Sequence, residues 1–289
     1  MVKRFILNAD GLGLSNAYNC AVKEAYKSGF LKSVSLVANG EAFDEAVKNI
    51  LPECQDFGVG VCLNVTSGKS LCADLNTLTD EKLNFKNNYF KLLFLAYNPK
   101  NKDFMPQLER EFRRQIETAM SKTKICHINS KDHIHSIPPI FNLVCRLAKE
   151  YQIPQIRTHF EKIYIIPEVY RNLTFKFFKN FSKKLFLNFL TVINENTVHK
   201  YELQTNDYII GINYEGLMDA IAVTYGIKVL KYENITVETV IYPARYEDGT
   251  IDTHFDEYII TKNKKLEDKI KRSGYDITNY MVKNENTSE

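Results

Sequence analysis

Short apolar runs that end in polar turns, each followed by a stretch of helical periodicity, recur along the whole chain. This alternation decides the fold class. Lys3–Asn8 predicts a strand, and Ser15 a helix cap before the stripe Ala17, Ala21, Ala25, with Gly29 as its stop. Ser33–Ala38 and Phe57–Asn64 predict further strands around a short helix at Phe43–Ile50, and a long polar loop follows from Thr66 to about Asn101. Pro106 opens a helix with Leu108, Phe112, Ile116 and Met120 on one face. Lys124–Asn129 is a strand, Pro138-Pro139 opens a helix with Ile140, Val144 and Ala148, and Gln155–Thr158 is a strand. Strands near Tyr208–Ile210 and Ile235–Tyr242, a helix around Leu217–Tyr225 and a charged helix from Lys264 complete the pattern. No repeat and no Pro-, Gly- or Ser-rich linker interrupts it. The expectation is an α/β fold, a single irregular (β/α) barrel of parallel strands, distorted and TIM-like, as one domain over 1–289.

Composition excludes several classes. A net charge of +3 over 289 residues is too mild for a nucleic-acid footprint, which needs clustered positive charge. No apolar run is long enough to span a membrane, and the short one at the N-terminus meets Asp10 too soon to be a signal peptide. The six cysteines form no CxxC pair, so free thiols in a cytoplasmic setting are expected.

Asn172–Ile193 breaks the rhythm, being rich in aromatics and carrying four lysines. It reads either as a surface-seeking amphipathic helix, with a membrane-peripheral or protein-docking role, or as a helix that packs on the barrel and keeps its lysines in water. The second reading is the stronger, because the lysines lack a clean opposite apolar arc.

Candidate chemistry falls at the predicted C-terminal ends of strands, where α/β enzymes place their sites. NADG carries Asp10, GVCLNVTSGK carries Cys62 and Asn64, and HINSKDHIH carries His127, Lys131, Asp132, His133 and His135. IYPAR carries Tyr242 and Arg245, while Arg157 and Asp207 are further candidates. A lone Asp after a strand is usually a turn residue, and a lone buried Cys usually a small apolar one. Three histidines in nine residues are harder to assign to structure alone.

These stretches resemble the YdjC-like (ChbG/HpnK-type) carbohydrate deacetylases in order and spacing. NADGLGLS is similar to that family's NADDFGLS, GVCLNVTSGKS to GVHLNLTSGKP, and HINSKDHIHSIPP to HIDSHHHVH followed by PP. IPQIR matches IPxxR, ETVIYPA matches E..xHPG, and SLVANGEAFDEAV fits the family's second strand and helix. The resemblance implies a distorted barrel, a saccharide or amino-sugar ligand, a divalent metal (zinc or magnesium), and Asp10 as general base.

Four positions depart from the family pattern. Gly11 replaces a ligand carboxylate, Cys62 and Lys131 replace ligand histidines, and Tyr242 replaces the histidine of HPG. Amide hydrolysis at a metal requires an ion held with open positions, and neither glycine nor an ammonium can coordinate one. Lys131 could instead neutralise Asp10 as an internal ion pair, and three ligand positions changed together imply that no cofactor is expected. The expected function is therefore a degenerate member that binds a saccharide without metal-dependent deacetylation. Asp10, Lys131, His133 and Tyr242 are its candidate reactive groups, and Asn64, His135, Arg157 and Asp207 its candidate ligand contacts. The alternative is an active N-acetyl sugar deacetylase with a rebuilt centre of Asp10, Cys62 and His133, or His127 in its place.

Overall fold

The computed structural model describes residues 2–167 and 175–281. β1 (Lys3–Leu12) is the axis of the sheet. β2 (Ser33–Leu36) and β7 (Thr236–Ile241) flank it, β3 (Gly58–Leu63), β4 (His127–Ser130) and β5 (Gln155–Ile156) continue on one side, and β6 (Tyr208–Ile210) closes the other. β8 (Tyr275–Thr278) pairs with β1 off this path. Every pairing between these strands is parallel, which a chain of strand–helix units requires. The curled sheet wrapped in helices is the distorted (β/α) barrel that the alternation predicts.

The helices are α1 (Asn16–Ser28), α2 (Phe43–Glu45, continued as a π turn over Ala46–Ile50), α3 (Tyr89–Tyr97), α4 (Phe104–Met120) and α5 (Pro138–Glu150). After these come α6 (Phe175–Tyr201), α7 (Ala220–Lys228), α8 (Thr253–Thr261) and α9 (Lys264–Arg272). Three of these elements differ from the sequence reading. α3 lies inside the expected loop, where the Asn88 side chain caps it by accepting from the Lys91 amide. α8 and β8 were not expected at all. Ser15 precedes α1 but makes no side-chain cap, and the Asn19 side chain instead accepts from the Gly13 amide at 2.8 Å.

Within the barrel, alternate strand residues face inward. On β1 these are Ile6, Asn8 and Asp10, and on β3 they are Gly58, Gly60 and Cys62. The two glycines make room for rings: a Cβ on Gly60 would lie 2.2 Å from His127 Nε2, and one on Gly58 would lie 2.8 Å from Asn279 Cβ, next to Tyr280.

The barrel does not close by a ladder between β5 and β6. Side chains bridge the gap. Asn206 accepts from the Thr158 amide at 2.8 Å and donates to the Thr158 carbonyl at 3.0 Å. Glu161 accepts from the Gly211 and Asn213 amides at 2.8 and 2.7 Å. α6 lies over this seam. It buries Phe177, Asn180, Lys184, Leu187, Leu190 and Asn194 at helical spacing, with Leu187 packed on Ile209, Ile212 and Val240. That is the packing reading of the aromatic segment, although Phe175, Phe178 and Phe189 remain exposed on its outer face. Asn172–Thr174 lie outside the described residues. Among the described residues no helix is long and apolar enough to cross a membrane.

Candidate functional site

β1 runs further than its apolar stretch predicts. It continues through Asp10, and a register shift between Asp10 and Leu12 bends the strand at Gly11, whose φ is +98°. This bulge leaves Asp10 inside the barrel rather than at the tip of a turn.

Arg157, just beyond β5, donates to both Asp10 oxygens, from NH1 at 2.6 Å and NH2 at 2.8 Å. Asn8 and Asn129 add 2.7 and 2.9 Å bonds to Oδ1. The other side of the guanidinium grips Glu238, through Nε at 2.9 Å and NH2 at 2.5 Å. Asp10, Arg157 and Glu238 are all 0% exposed. Burial opposes the Arg157 charge, but the two carboxylates outweigh it and hold the guanidinium protonated. Burial pushes the Glu238 carboxyl upward against the pull of Arg157. Two carboxylates on one guanidinium is a bidentate arrangement that only arginine can make.

A second layer supports this one. Ser35 Oγ accepts from Asn8 and Asn129 at 2.9 and 2.7 Å and lies 3.1 Å from His127 Nε2. With two donors already on it, its own proton goes to the imidazole. Burial then keeps His127 neutral, its pKa well below the ordinary value.

The motif-three residues separate. His135 sends Nε2–H to the Arg157 carbonyl at 3.1 Å and takes the Ser130 hydroxyl on Nδ1, so both its nitrogens are engaged in bracing Arg157. Burial, with the nearby Arg157 charge, drives its pKa down to about 3. Asp132 and His133 both adopt left-handed backbone, with φ of +54° and +57°, a strained pair at the mouth of the barrel. His133 packs edge-on against His159, ring centroids 4.8 Å apart, and is held neutral by burial and the Lys183 charge. His133 Nδ1 and His159 Nε2 have no partner among the described residues. Lys131 turns to Asp132 at 3.3 Å, and Thr66 reaches the same carboxylate at 2.5 Å.

Cys62 is buried, and burial, then the Asp10 charge, pushes its thiol far above its usual range. Tyr242, half-buried against Val240, Ile209 and Leu187, stays protonated for the same two reasons. Asp10, Cys62, Lys131 and Tyr242 thus share one end of the strands. Asn64 is committed to its own loop, accepting from the Thr66 and Ser67 amides at 3.2 and 3.3 Å. Asp207 is elsewhere. It sits before β6, accepts from the Thr236 amide at 2.7 Å, and lines a separate groove of about 720 Å³ with Glu195 and His199. Arg245 is also remote, its backbone bonded to Ala17 and its guanidinium to Glu24.

The cofactor expectation is corrected. The expectation of no cofactor rests on the changes at Gly11, Cys62 and Lys131 together, with Lys131 as the cation beside Asp10. That pair does not exist: Lys131 is held by Asp132, and Arg157 neutralises Asp10. Gly11 supplies no ligand atom, and a side chain there would meet the Tyr18 ring at 2.8 Å on backbone of positive φ. Among the described residues no three His, Cys, Asp or Glu side chains converge on a metal-sized site.

Sequence reasoning gave no role to Asn8, Ser35, Asn129, His159, Glu161, Glu238 or Tyr280. A signal for several was present: polar residues at every second position of apolar strands, N-A-D in β1, S-V-S in β2, H-I-N in β4 and T-V-E in β7. That period marks the inner face of the barrel.

The model of the YdjC-like protein family matches residues 4–273. Three curated relatives are carbohydrate deacetylases. That of Clostridium beijerinckii is 36% identical over 152 residues, 52% of this chain and 58% of its own length. That of Brevibacillus brevis is 32% identical over the same shares. That of Thermoanaerobacter pseudethanolicus is 32% identical over 168 residues, 57% and 64%. The matched stretch therefore spans less than two thirds of each relative. The crystal structure of a candidate cellobiose-phosphate cleavage protein from Enterococcus faecalis V583 superposes with a TM-score of 0.73, covering 97% of this chain and 98% of its own at 18% identity.

Proposed function

The chain belongs to the YdjC-like family, and from that premise we propose that it binds a saccharide at the strand ends without carrying out the deacetylation for which its relatives are named. The observation that carries this is the state of Asp10. Its two oxygens receive four hydrogen bonds from Arg157, Asn8 and Asn129, and the carboxylate is fully buried. A general base must come within hydrogen-bond reach of the proton it takes. Here both oxygens are committed inward.

What remains for a ligand is the partly exposed rim: Tyr18, Thr66, Lys131, Asp132 and Tyr242. Aromatic faces with hydroxyl, ammonium and carboxylate groups around them suit the alternating apolar and hydroxylated faces of a sugar ring. The proposal concerns these side chains and holds with or without a bound ion. A cytoplasmic setting belongs to it as well, in keeping with six unpaired cysteines.

The test is isothermal titration of the full chain with N,N′-diacetylchitobiose. Saturable binding that weakens about tenfold in Tyr242→Ala is expected, the scale of one lost aromatic or polar contact. Absence of binding would remove the proposal. Binding unchanged by substitutions at Tyr242, Lys131 and Asp132 would move the ligand away from the strand ends.

A further inference from the structure

β8 does not extend the sheet path. It occupies the lower half of one edge of β1, pairing Lys3–Ile6 with Tyr275–Thr278, while β2 takes the upper half from Asn8 to Leu12. After β8 the chain turns inward, and Tyr280 enters the floor of the barrel. Only 1% of Tyr280 is exposed, and its ring stacks on His127 with centroids 4.2 Å apart, against Ile6 and Cys126. Its carbonyl accepts from Gln155 Nε2, and its hydroxyl donates to Glu238 Oε2, both at 2.5 Å.

We infer that Tyr280 is a positioning residue for the Asp10–Arg157 pair, acting through Glu238 from the opposite end of the barrel. The inference rests on the strand-end site being the functional one. The links run Tyr280 to Glu238, Glu238 to Arg157 and Arg157 to Asp10, each a direct hydrogen bond between fully buried side chains. Glu238 Oε2 has two donors, the Tyr280 hydroxyl and Arg157 Nε. Without the first, a buried carboxylate loses one of the bonds that keep it charged and in place. Arg157 then loses the fixed anchor on its outer side and can rotate about its grip on Asp10.

The charged and titratable groups around Glu238 are Arg157, Asp10, Tyr280 and the neutral His127. Of these only Tyr280 comes from outside the span of 4–273 that the family model matches.

The experiment uses the full chain carrying Tyr280→Phe, which keeps the stacked ring and deletes only the donor. Three quantities are read: the melting temperature, the carboxylate ¹³C titration of Glu238, and the side-chain Nε–H resonance of Arg157. The expected result is a melting temperature near that of the parent, a Glu238 titration moved to higher pH, and a shifted Arg157 resonance. Glu238→Gln, which breaks the same path one link on, must shift the Arg157 resonance too. An unchanged Glu238 titration and Arg157 resonance in Tyr280→Phe would overturn the inference and leave Tyr280 a packing residue. Should Tyr280→Phe not fold, the Glu238→Gln resonance decides alone, an unshifted Arg157 signal counting against it. Diacetylchitobiose affinity is measured in parallel, with about a tenfold loss expected in Tyr280→Phe. If the parent binds no sugar, the proposed function fails, while the two resonance readouts still decide the role of Tyr280.

Discussion

Arg157 holds both oxygens of Asp10, at 2.6 and 2.8 Å, across 147 residues of sequence, and neither side chain touches solvent. A buried ion pair of this kind is costly to break from one side, because the partner left behind is an uncompensated charge. Arg157→Met strands two carboxylates, Asp10 and Glu238. It is expected to lower stability by about 3–5 kcal/mol in urea unfolding, and Asp10→Asn combined with it should return part of that loss. A loss under about 1 kcal/mol would mean the network is open to water.

Lys131 gives the opposite expectation. Its partner is the exposed Asp132, with side-chain exposures of 28% and 48%. Such pairs contribute about 0–1 kcal/mol. Lys131→Met should therefore leave the unfolding midpoint within about 1 kcal/mol of the parent and the Arg157 Nε–H resonance in place. A large change in either would restore Lys131 as the partner of Asp10.

Stability should rise with pH in the acid range. His127, His133 and His159 are held well below their ordinary pKa, and His135 at about 3, all by burial first. Unfolding lets these four take up protons below about pH 6.5, so their contribution is present above that pH and lost as pH falls. Glu161 and Glu257 act against them. Burial raises each to about 7, so the folded state holds their protons between pH 4.5 and 7 and their effect lowers stability as pH rises. Four imidazoles outweigh two carboxyls, with Glu238 adding in the carboxyl sense. A rise of about 1.4–3 kcal/mol per pH unit between pH 5 and 6 follows, at ~1.4 kcal/mol per proton per unit. Glu161→Gln should steepen it. Denaturant unfolding at a series of pH values checks this, and a stability that falls from pH 5 to 6 would show the imidazoles already charged in the folded protein.

Two glycines separate space from backbone strain. A methyl on Gly60 would lie 2.2 Å from His127 Nε2, whereas Gly249, at φ +78°, has nothing within 4 Å. Gly60→Ala must push His127 off Ser35 and Tyr280 and is expected to cost more than about 3 kcal/mol, the upper range of overpacking. Gly249→Ala should cost only the ~1 kcal/mol of a left-handed alanine. Equal melting temperatures for the two variants would contradict the packing of the barrel floor.

Much of this architecture was legible because the strands carry their own apolar pattern. β8 was not, since YDIT is short, polar at Asp276 and follows a charged helix. What makes it a strand is the half of the β1 edge that β2 leaves free. α3 was hidden because nine residues of apolar helix sit between polar loops and depend on the Asn88 cap. The strand-end placement of Asp10, Cys62, Lys131 and Tyr242 could be read from their motifs. The partner of Asp10 could not. Motif adjacency pointed to Lys131, but the parallel register of His127 with Gln155 carries Arg157 onto the inner face, and only the curl of the sheet sets that distance. Asp207 looked equivalent to the others because it also borders a strand, but it precedes β6 and so lies at the other end.

On the proposed function, the strand ends bind an acetylated sugar and leave its amide intact. One proton NMR time course tests it directly: the full chain is mixed with N,N′-diacetylchitobiose, and saturation transfer to the acetamido methyls and growth of free acetate are recorded together. Transferred saturation and no acetate above a protein-free blank are expected. Acetate that accumulates with the parent and stops accumulating with Asp10→Asn would contradict it.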